Sequence, residues 1–175
     1  MSLPPIGQAI SMNAHASNSP LQVNVLGLVT LDFKGGLRAV VEQEIQSGWG
    51  GVRLRAEGFE MTADSPVLGK VVLSWANSGS TPLSEVRILD EAASTYLSTW
   101  YFDWTMTIEK PPGGGAPIEL SSTKTAALVG DQLTGFPPQG GKYQLQQPVD
   151  FAPVGAPGQV ILTLQQLPAT VSYNP

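Results

Sequence analysis

The sequence predicts an all-β protein, an antiparallel β-sandwich of about nine strands, and three observations support this. First, apolar residues recur at every second position in many stretches, as in strands with one buried face. Second, clusters of Gly, Pro, Asn and Ser separate these stretches at intervals of roughly 8–15 residues. Third, no stretch follows the helical period, so a parallel sheet would lack its crossover helices. A closed or flattened β-barrel is the alternative, because both architectures leave similar sequence patterns.

The composition fits one folded domain. The chain has 175 residues, of which 42% are hydrophobic, and this is enough to bury a core. Only 13% are charged and the net charge is −5, so the polar surface must depend on Ser, Thr, Gln and Asn. Residues 1–20 hold three prolines and many small polar residues. They favour an extended N-terminal arm, followed by a single β-sandwich domain over residues 21–175.

Composition also excludes several classes of function. The chain has no cysteine, which rules out disulfides, thiol nucleophiles and Cys-ligated metal sites. Its nine Lys and Arg residues are scattered, which argues against nucleic-acid binding. No stretch is apolar enough to span a bilayer. The N-terminus lacks the basic and apolar regions of a secretory signal, so we expect a cytoplasmic protein and leave signal-independent secretion open.

The stretches in the first half of the chain predict five strands. In chain order these are 23–33, 37–45, 52–63, 71–75 and 86–88. A turn at Lys34-Gly35-Gly36 separates the first two, and a turn at 47–51 separates the next two. The apolar phase shifts within the third stretch, which predicts a β-bulge at Glu57-Gly58.

One hairpin has a register that both of its faces support. A four-residue loop between the second and third strands would pair Ile45 with Val52 on the inner face. On the outer face the same register sets two carboxylates against two guanidinium groups: Glu44 opposite Arg53, and Glu42 opposite Arg55. Each exposed ion pair would contribute roughly 0.2–1 kcal/mol, so these pairs select the register more than they stabilise the fold.

The clearest strand runs from Leu97 to Lys110. Every second residue there is large and apolar, and the set is Trp100, Phe102, Trp104, Met106 and Ile108. Side chains alternate across a strand, so these residues share one face. Two of the four tryptophans belong to it, and we expect the core to be built against this face. Asp103 lies on the other face, which we expect to be solvated because it also carries threonines and a glutamate.

Shorter strands follow the long one. They are expected at 118–120, 125–129, 143–151 and 160–164, with a last segment after Pro168. The Pro/Gly runs at 111–117 and 135–141 are expected as exposed loops. Pro148 interrupts the third of these strands, which favours a sheet edge or a break at that point.

Few side chains suit catalysis. His15 is the only histidine and lies in the predicted arm, where neither a catalytic triad nor a multi-histidine metal site can form. Glu42 and Glu44 share a strand face at roughly 7 Å, as paired glycosidase carboxylates can, but their arginine partners account for them. Phosphate-binding and calcium-binding loop patterns are missing. We therefore expect no metal, no cofactor and no enzymatic activity.

Three aromatic residues are the candidate binding residues. Trp49 lies at a hairpin tip between glycines, Tyr96 lies beside the long strand, and Tyr101 lies on the second face of that strand. Exposed aromatic side chains stack on sugars or anchor a protein contact. For Trp49 the alternative is an indole that folds back over the end of the sheet as a plug.

Short motifs follow one another between residues 49 and 72. They are Trp49-Gly-Gly-Val, then Phe59-Glu-Met, then Ser65-Pro-Val-Leu-Gly-Lys-Val. This segment resembles a family of small bacterial all-β proteins of unknown function, although Leu68 stands where that family carries Phe. The later Phe136-Pro-Pro turn and the closing Leu-rich strand are compatible, so the resemblance covers residues 20–170. It implies a bacterial, non-enzymatic β protein and carries no catalytic residues.

The sequence favours a non-catalytic β-sandwich module that acts by protein–protein interaction or self-assembly. Its low charge, its Pro/Gly loop tips and a sheet edge near Pro148 support this hypothesis. One alternative is a carbohydrate-binding module that uses Trp49, Tyr96 or Tyr101. Another is a carrier of a small apolar ligand, held in a cavity between the sheets against the tryptophan-rich face. A carboxylate-dependent enzyme ranks last.

Overall fold

The computed structural model describes residues 3–77 and 79–175. They form one antiparallel sheet that closes into a ring, an arrangement that lies between a sandwich and a flattened barrel. The predicted all-β fold is confirmed. Within the described ranges no helix is long and apolar enough to cross a membrane. The thirteen strands are β1 (Ala9–Val23), β2 (Gly27–Ile45), β3 (Gly51–Ser65), β4 (Gly69–Trp75), β5 (Ser84–Asp90), β6 (Thr95–Phe102), β7 (Trp104–Ile108), β8 (Ile118–Ser122), β9 (Ala126–Leu133), β10 (Gly141–Leu145), β11 (Val149–Pro153), β12 (Leu162–Leu164) and β13 (Ala169–Tyr173).

The strands occupy eight positions around the ring. The long strands β1, β2 and β3 each fill one position, and the other five positions each hold two short strands in line. These composite positions are β4–β5, β6–β7, β8–β9, β10–β11 and β12–β13. Neighbours in the chain are neighbours in the ring, and the ring closes because β12 and β13 both pair with β1. The edge expected near Pro148 is not present, since β10 and β11 on either side of it are each paired on both flanks.

The interruptions of the five composite positions lie at one level of the ring, which we call the waist. It comprises residues 76–77, 79–83, 103, 123–125, 146–148 and 165–168. Pro82, Pro148 and Pro168 lie in the waist. Proline cannot donate a hydrogen bond to a neighbouring strand, so it favours such a break. Adjacent interruptions are tied together, because the Ala76 N–H donates to the Asp103 carbonyl at 2.8 Å.

The N-terminal region differs from its prediction. Residues 1–20 were expected as an arm, but from Ala9 onward they belong to β1, which pairs with β2 on one flank and with β12 and β13 on the other. The inward residues Ala14 and Ala16 are small. Because these buried positions carry small side chains, the alternation along β1 is hard to see in the sequence. The segment instead looks polar and contains prolines.

The expected turn at Lys34-Gly35-Gly36 is wrong, because β2 runs through it as one strand of 19 residues. A Cβ atom on Gly35 would lie 1.9 Å from the carbonyl oxygen of Glu60 on β3. The glycine thus serves the close approach of two strands rather than a reversal of the chain.

The β2–β3 hairpin corrects the expected register and confirms the expected bulge. Its loop holds five residues, 46–50, with φ angles of 64° at Gly48 and 90° at Gly50. Ile45 therefore lies opposite Gly51 rather than Val52. Further along, the register shifts beside Glu57, as the phase change in the sequence predicts.

The core is built against β6 and β7, whose residues alternate between buried and half-buried as predicted. The rings of Trp100, Phe102 and Trp104 form what we call the aromatic row. Neighbouring ring centroids lie 6.2 and 5.8 Å apart, with interplanar angles of 8° and 14°. The position directly across the ring is β1, whose small residues Ala14 and Ala16 leave room for this row.

Candidate functional site

The wall of the ring is incomplete on one flank of β3. Residues 51–54 of β3 pair with β5, and residues 60–65 pair with β4. The segment between them borders a cleft of about 420 Å³. We call this cleft the waist opening, and its lining includes Arg55, Ala56, Trp75, Asn77, Pro82 and Leu83. It exists because the position beside β3 is interrupted from Ala76 to Leu83.

The floor of the waist opening is apolar and touches the interior. Ala56 and Trp75 are half-buried and pack against the core. Trp75 lies directly opposite Trp104 on the neighbouring strand, so both side chains are on the inner face. Trp75 therefore belongs both to the lining of the opening and to the packing against the core.

The rim of the waist opening is charged and internally paired. Arg55 contacts the carboxylate of Glu42 and lies 3.8 Å from that of Glu57, so the expected Glu42–Arg55 pair is present. The expected Glu44–Arg53 pair is wrong, because the longer hairpin loop shifts the register and Arg53 instead contacts Glu85 at 3.1 Å. Such exposed pairs contribute about 0–1 kcal/mol each.

Glu85 on β5 sits between two guanidinium groups, those of Arg53 and Arg87, each at 3.1 Å. Partial burial by itself would raise the pKa of Glu85. The hydrogen bonds and charges of the two arginines outweigh that effect and bring the pKa below its usual value. The carboxylate is therefore held in its charged form and links β3 to β5 beside the opening.

Asp103 ties the segments of the waist together. Its carboxylate accepts hydrogen bonds from the hydroxyl groups of Thr81 and Thr125, the latter at 2.8 Å. Thr81 belongs to the loop that borders the waist opening. Asp103 was expected on a solvated face, but it is half-buried, because the strand is interrupted at this residue and two neighbouring interruptions close over it.

The aromatic row contains two buried hydrogen-bond donors. The indole nitrogens of Trp100 and Trp104 have no hydrogen-bond partner among the described residues, and the two side chains are only 1% and 0% exposed. The Phe59 ring covers this part of the row, with its centroid 5.2 Å from Trp104 and 4.7 Å from Phe102. An unpaired buried donor costs about 1–3 kcal/mol, so these two groups need an explanation.

A second buried polar group lies at the far end of the aromatic row. The Tyr143 hydroxyl donates to the Ser98 hydroxyl oxygen at 2.8 Å. Burial raises the pKa of Tyr143, while the hydroxyl of Ser98 and the indole of Trp100 act in the opposite direction. The Trp100 indole thus lies near this pair, although its geometry is not that of a hydrogen bond.

The three candidate binding residues are not brought together. Trp49 is 52% exposed at the hairpin tip and is not a plug. Tyr96 is 4% exposed and faces the interior, where burial raises its pKa. Tyr101 is half-buried on the outer face, in a shallow groove with Arg53 and Glu85. The three rings therefore do not form the shared platform that sugar stacking requires.

Trp75 lines the opening and lies opposite Trp104, whereas the sequence predicted both tryptophans only as core residues. A signal for Trp75 is its place at the end of a strand, directly before the polar run from Asn77 to Ser80. Its pairing with Trp104 depends on strand order, which the sequence pattern does not contain. His15 lies exposed on the outer face of β1, beside Lys34 and Thr170. Across residues 3–77 and 79–175, no three His, Asp or Glu side chains are grouped as metal ligands.

The fold and the opening define a class: closed antiparallel β proteins in meander order, with an aromatic interior and a gap in the wall. Among solved structures, the chain is similar to DynF from the dynemicin biosynthesis pathway of Micromonospora chersina. The TM-score is 0.79, and the match covers 97% of this chain and 82% of DynF at 18% identity. At that identity the likeness shows a shared fold. No family model matches the chain, and no curated protein sequence does.

This likeness corrects the expected function. A module that acts by protein–protein interaction or self-assembly was expected, but the chain shares its fold with a protein of a biosynthesis pathway. The closed ring also removes the sheet edge on which self-assembly depended. The carbohydrate-binding alternative loses its aromatic platform, because Tyr96 is buried. The aromatic row packs as core on the face where the cavity for an apolar ligand was expected.

Proposed function

We propose that the protein binds a small, largely apolar organic molecule at the waist opening, in the service of a biosynthetic pathway. One observation carries this proposal: the wall opens beside Trp75, which lies opposite Trp104, a buried tryptophan whose indole nitrogen has no partner among the described residues. A volume of about 420 Å³ falls within the roughly 300–1,000 Å³ of small-molecule sites. The fold shared with DynF, a protein of a biosynthesis pathway, supports the context.

The composition of the opening supports the same class of ligand. Trp75 and Ala56 offer an apolar floor, which favours a flat or hydrophobic body. The arginine at the rim is engaged by the carboxylates of Glu42 and Glu57. A strongly charged ligand would have to compete with these pairs, so a neutral molecule fits better.

We also propose that the protein binds its ligand without transforming it. The carboxylates nearest the opening, those of Glu42 and Glu57, both lie against Arg55. Both carboxylates are engaged with the same guanidinium group, so neither is placed as a general acid or base toward a ligand. The one histidine is on the outer face of β1.

Equilibrium dialysis with 2-phenylnaphthalene, a flat and apolar probe, tests the proposed site. Trp75→Ala should weaken binding about tenfold, which corresponds to about 1.4 kcal/mol, because it removes the aromatic floor. Trp49→Ala is the matched control, since this exposed tryptophan is at the hairpin tip, roughly 20 Å along the chain from Arg55. It should bind the probe as the unmodified protein does.

Circular dichroism confirms that both variants fold. Saturable binding that Trp75→Ala leaves unchanged would place the ligand elsewhere and refute the site. Binding that Trp49→Ala weakens instead would move it to the hairpin tip. If the unmodified protein retains no probe, the proposal of an apolar ligand is refuted.

A further inference from the structure

We infer that the indole N–H of Trp104 is the hydrogen-bond donor that recognises an oxygen acceptor on the ligand, and that the ligand is a flat, conjugated ketone or quinone. This inference rests on the proposed function and names the class of molecule that the waist opening takes. Trp104 is 0% exposed, and its indole nitrogen has no partner among the described residues.

A buried indole donor without a partner is unusual. The N–H of a buried tryptophan normally finds an acceptor, because an unpaired donor costs about 1–3 kcal/mol. A phenylalanine at this place in the aromatic row would supply most of the same apolar surface without that cost. An acceptor that arrives with a ligand explains why tryptophan stands there.

The position of Trp104 fits a role at the inner end of the opening. Its neighbour across the strands is Trp75, which lines the opening. Its ring is covered by Phe59 at 5.2 Å, and Phe59 follows the bulge at Glu57 on β3. Between its pairings with β5 and β4, this part of β3 borders the opening. The inferred contact therefore requires the Phe59 ring to move aside when the ligand binds.

The chemistry of the surroundings selects the acceptor. Trp75 lines the opening, and the rings of Phe59 and Phe102 lie against Trp104. Aromatic surroundings of this kind favour a flat, conjugated body. A hydrocarbon would leave the N–H unpaired. A sugar would bring many hydroxyl groups against apolar surface, each of which would need its own partner. One carbonyl oxygen on a planar ring system satisfies both requirements.

Trp100 provides a matched control within the same row. It is equally buried, but its indole interacts with the Tyr143 hydroxyl rather than facing Trp75. It lies at the other end of the row, beyond Phe102 and near Tyr143, and contacts Phe136 rather than Trp75. Replacing it removes one indole donor from the interior but not the donor beside the opening.

The test compares two probes of similar size and shape, flavone with a ring carbonyl and 2-phenylnaphthalene without one. We expect the unmodified protein to prefer flavone about fivefold, the effect of one net hydrogen bond. Trp104→Phe should bring the affinities for the two probes together, because it removes the donor that distinguishes them. Trp100→Phe should leave the preference unchanged.

A preference for flavone that survives Trp104→Phe, or that Trp100→Phe abolishes as well, would overturn the assignment. Equal binding of both probes to the unmodified protein would overturn it while the proposed site stands. If neither probe binds, the proposed function fails first. If Trp104→Phe does not fold, NMR of the unmodified protein provides the test. Flavone, and not 2-phenylnaphthalene, should shift the Trp104 indole N–H resonance downfield. A resonance that flavone does not shift would refute the donor role.

Discussion

The two flanks of β3 show how one strand can have a sealed side and an open side. Toward β2 the pairing runs from Gly51 to Thr62, with local shifts of register and no break. Toward the other flank β3 meets two short strands, β5 and then β4, with the waist opening between them. The strand is the same, so the difference comes from its neighbours.

Glycine and proline account for that difference. On the sealed flank, Gly35 and Gly36 lie midway along β2 and let it pass close to its neighbours as one strand. On the open flank, the segment from Ala76 to Leu83 contains Pro82, which cannot join a ladder. A ring of strands must bend sharply, and a strand either bends at glycine or breaks. The break is what creates a site.

The largest expected effect is on the sealed flank. Gly35→Ala should destabilise the protein by about 3 kcal/mol or more, because the new Cβ would meet the Glu60 carbonyl oxygen at 1.9 Å and the backbone must move. Gly58→Ala is the control, since the nearest side-chain atom to its Cβ would be 4.0 Å away. Urea unfolding should give a midpoint near that of the unmodified protein for Gly58→Ala only. Similar midpoints for both variants would contradict the close-approach explanation.

A smaller effect is expected on the open flank. Asp103→Ala removes the acceptor of the Thr81 and Thr125 hydroxyl groups, which should cost about 1–3 kcal/mol because a half-buried network loses its centre. Hydrogen exchange should become faster in the segment from Ala76 to Leu83, and not along β2. The exposed Asp131 provides the control variant Asp131→Ala. Faster exchange spread evenly over the ring would show that Asp103 does not act locally.

The smallest effect concerns the ion pairs between β3 and β5. The pKa of Glu85 is below its usual value of about 4.5, so its contribution to stability is fully present above that value and is lost as pH falls through the folded pKa. Glu85→Gln should lower stability near neutral pH by less than about 1 kcal/mol. The difference should vanish in acid, and Glu44→Gln, at an exposed position, should show neither effect. A difference that persists at low pH would assign the loss to packing instead.

The candidate site was predicted only in part. The alternation of apolar and polar residues along one strand predicts that Trp100, Phe102 and Trp104 share an inner face, and the structure confirms it. Trp49 was placed at a hairpin tip because glycines flank it, but its exposure was left open and only the structure decided it. Tyr96 was not recognised as buried. It faces the same side of the strand as Trp100, but the strand was expected to begin only at Leu97. The opening itself could not be found, because it lies between segments whose adjacency depends on strand order.

By itself, the sequence determined the all-β class, the aromatic inner face and the bulge at Glu57, because each follows from the period of two along a single strand. Only the tertiary structure decided that β1 closes the ring, that β2 passes Gly35 unbroken, and that Trp75 meets Trp104. These features depend on contacts between distant segments. Apart from proline, every residue type offers a neighbouring strand the same backbone hydrogen bonds, so the partner of a strand is set by how the whole core fills.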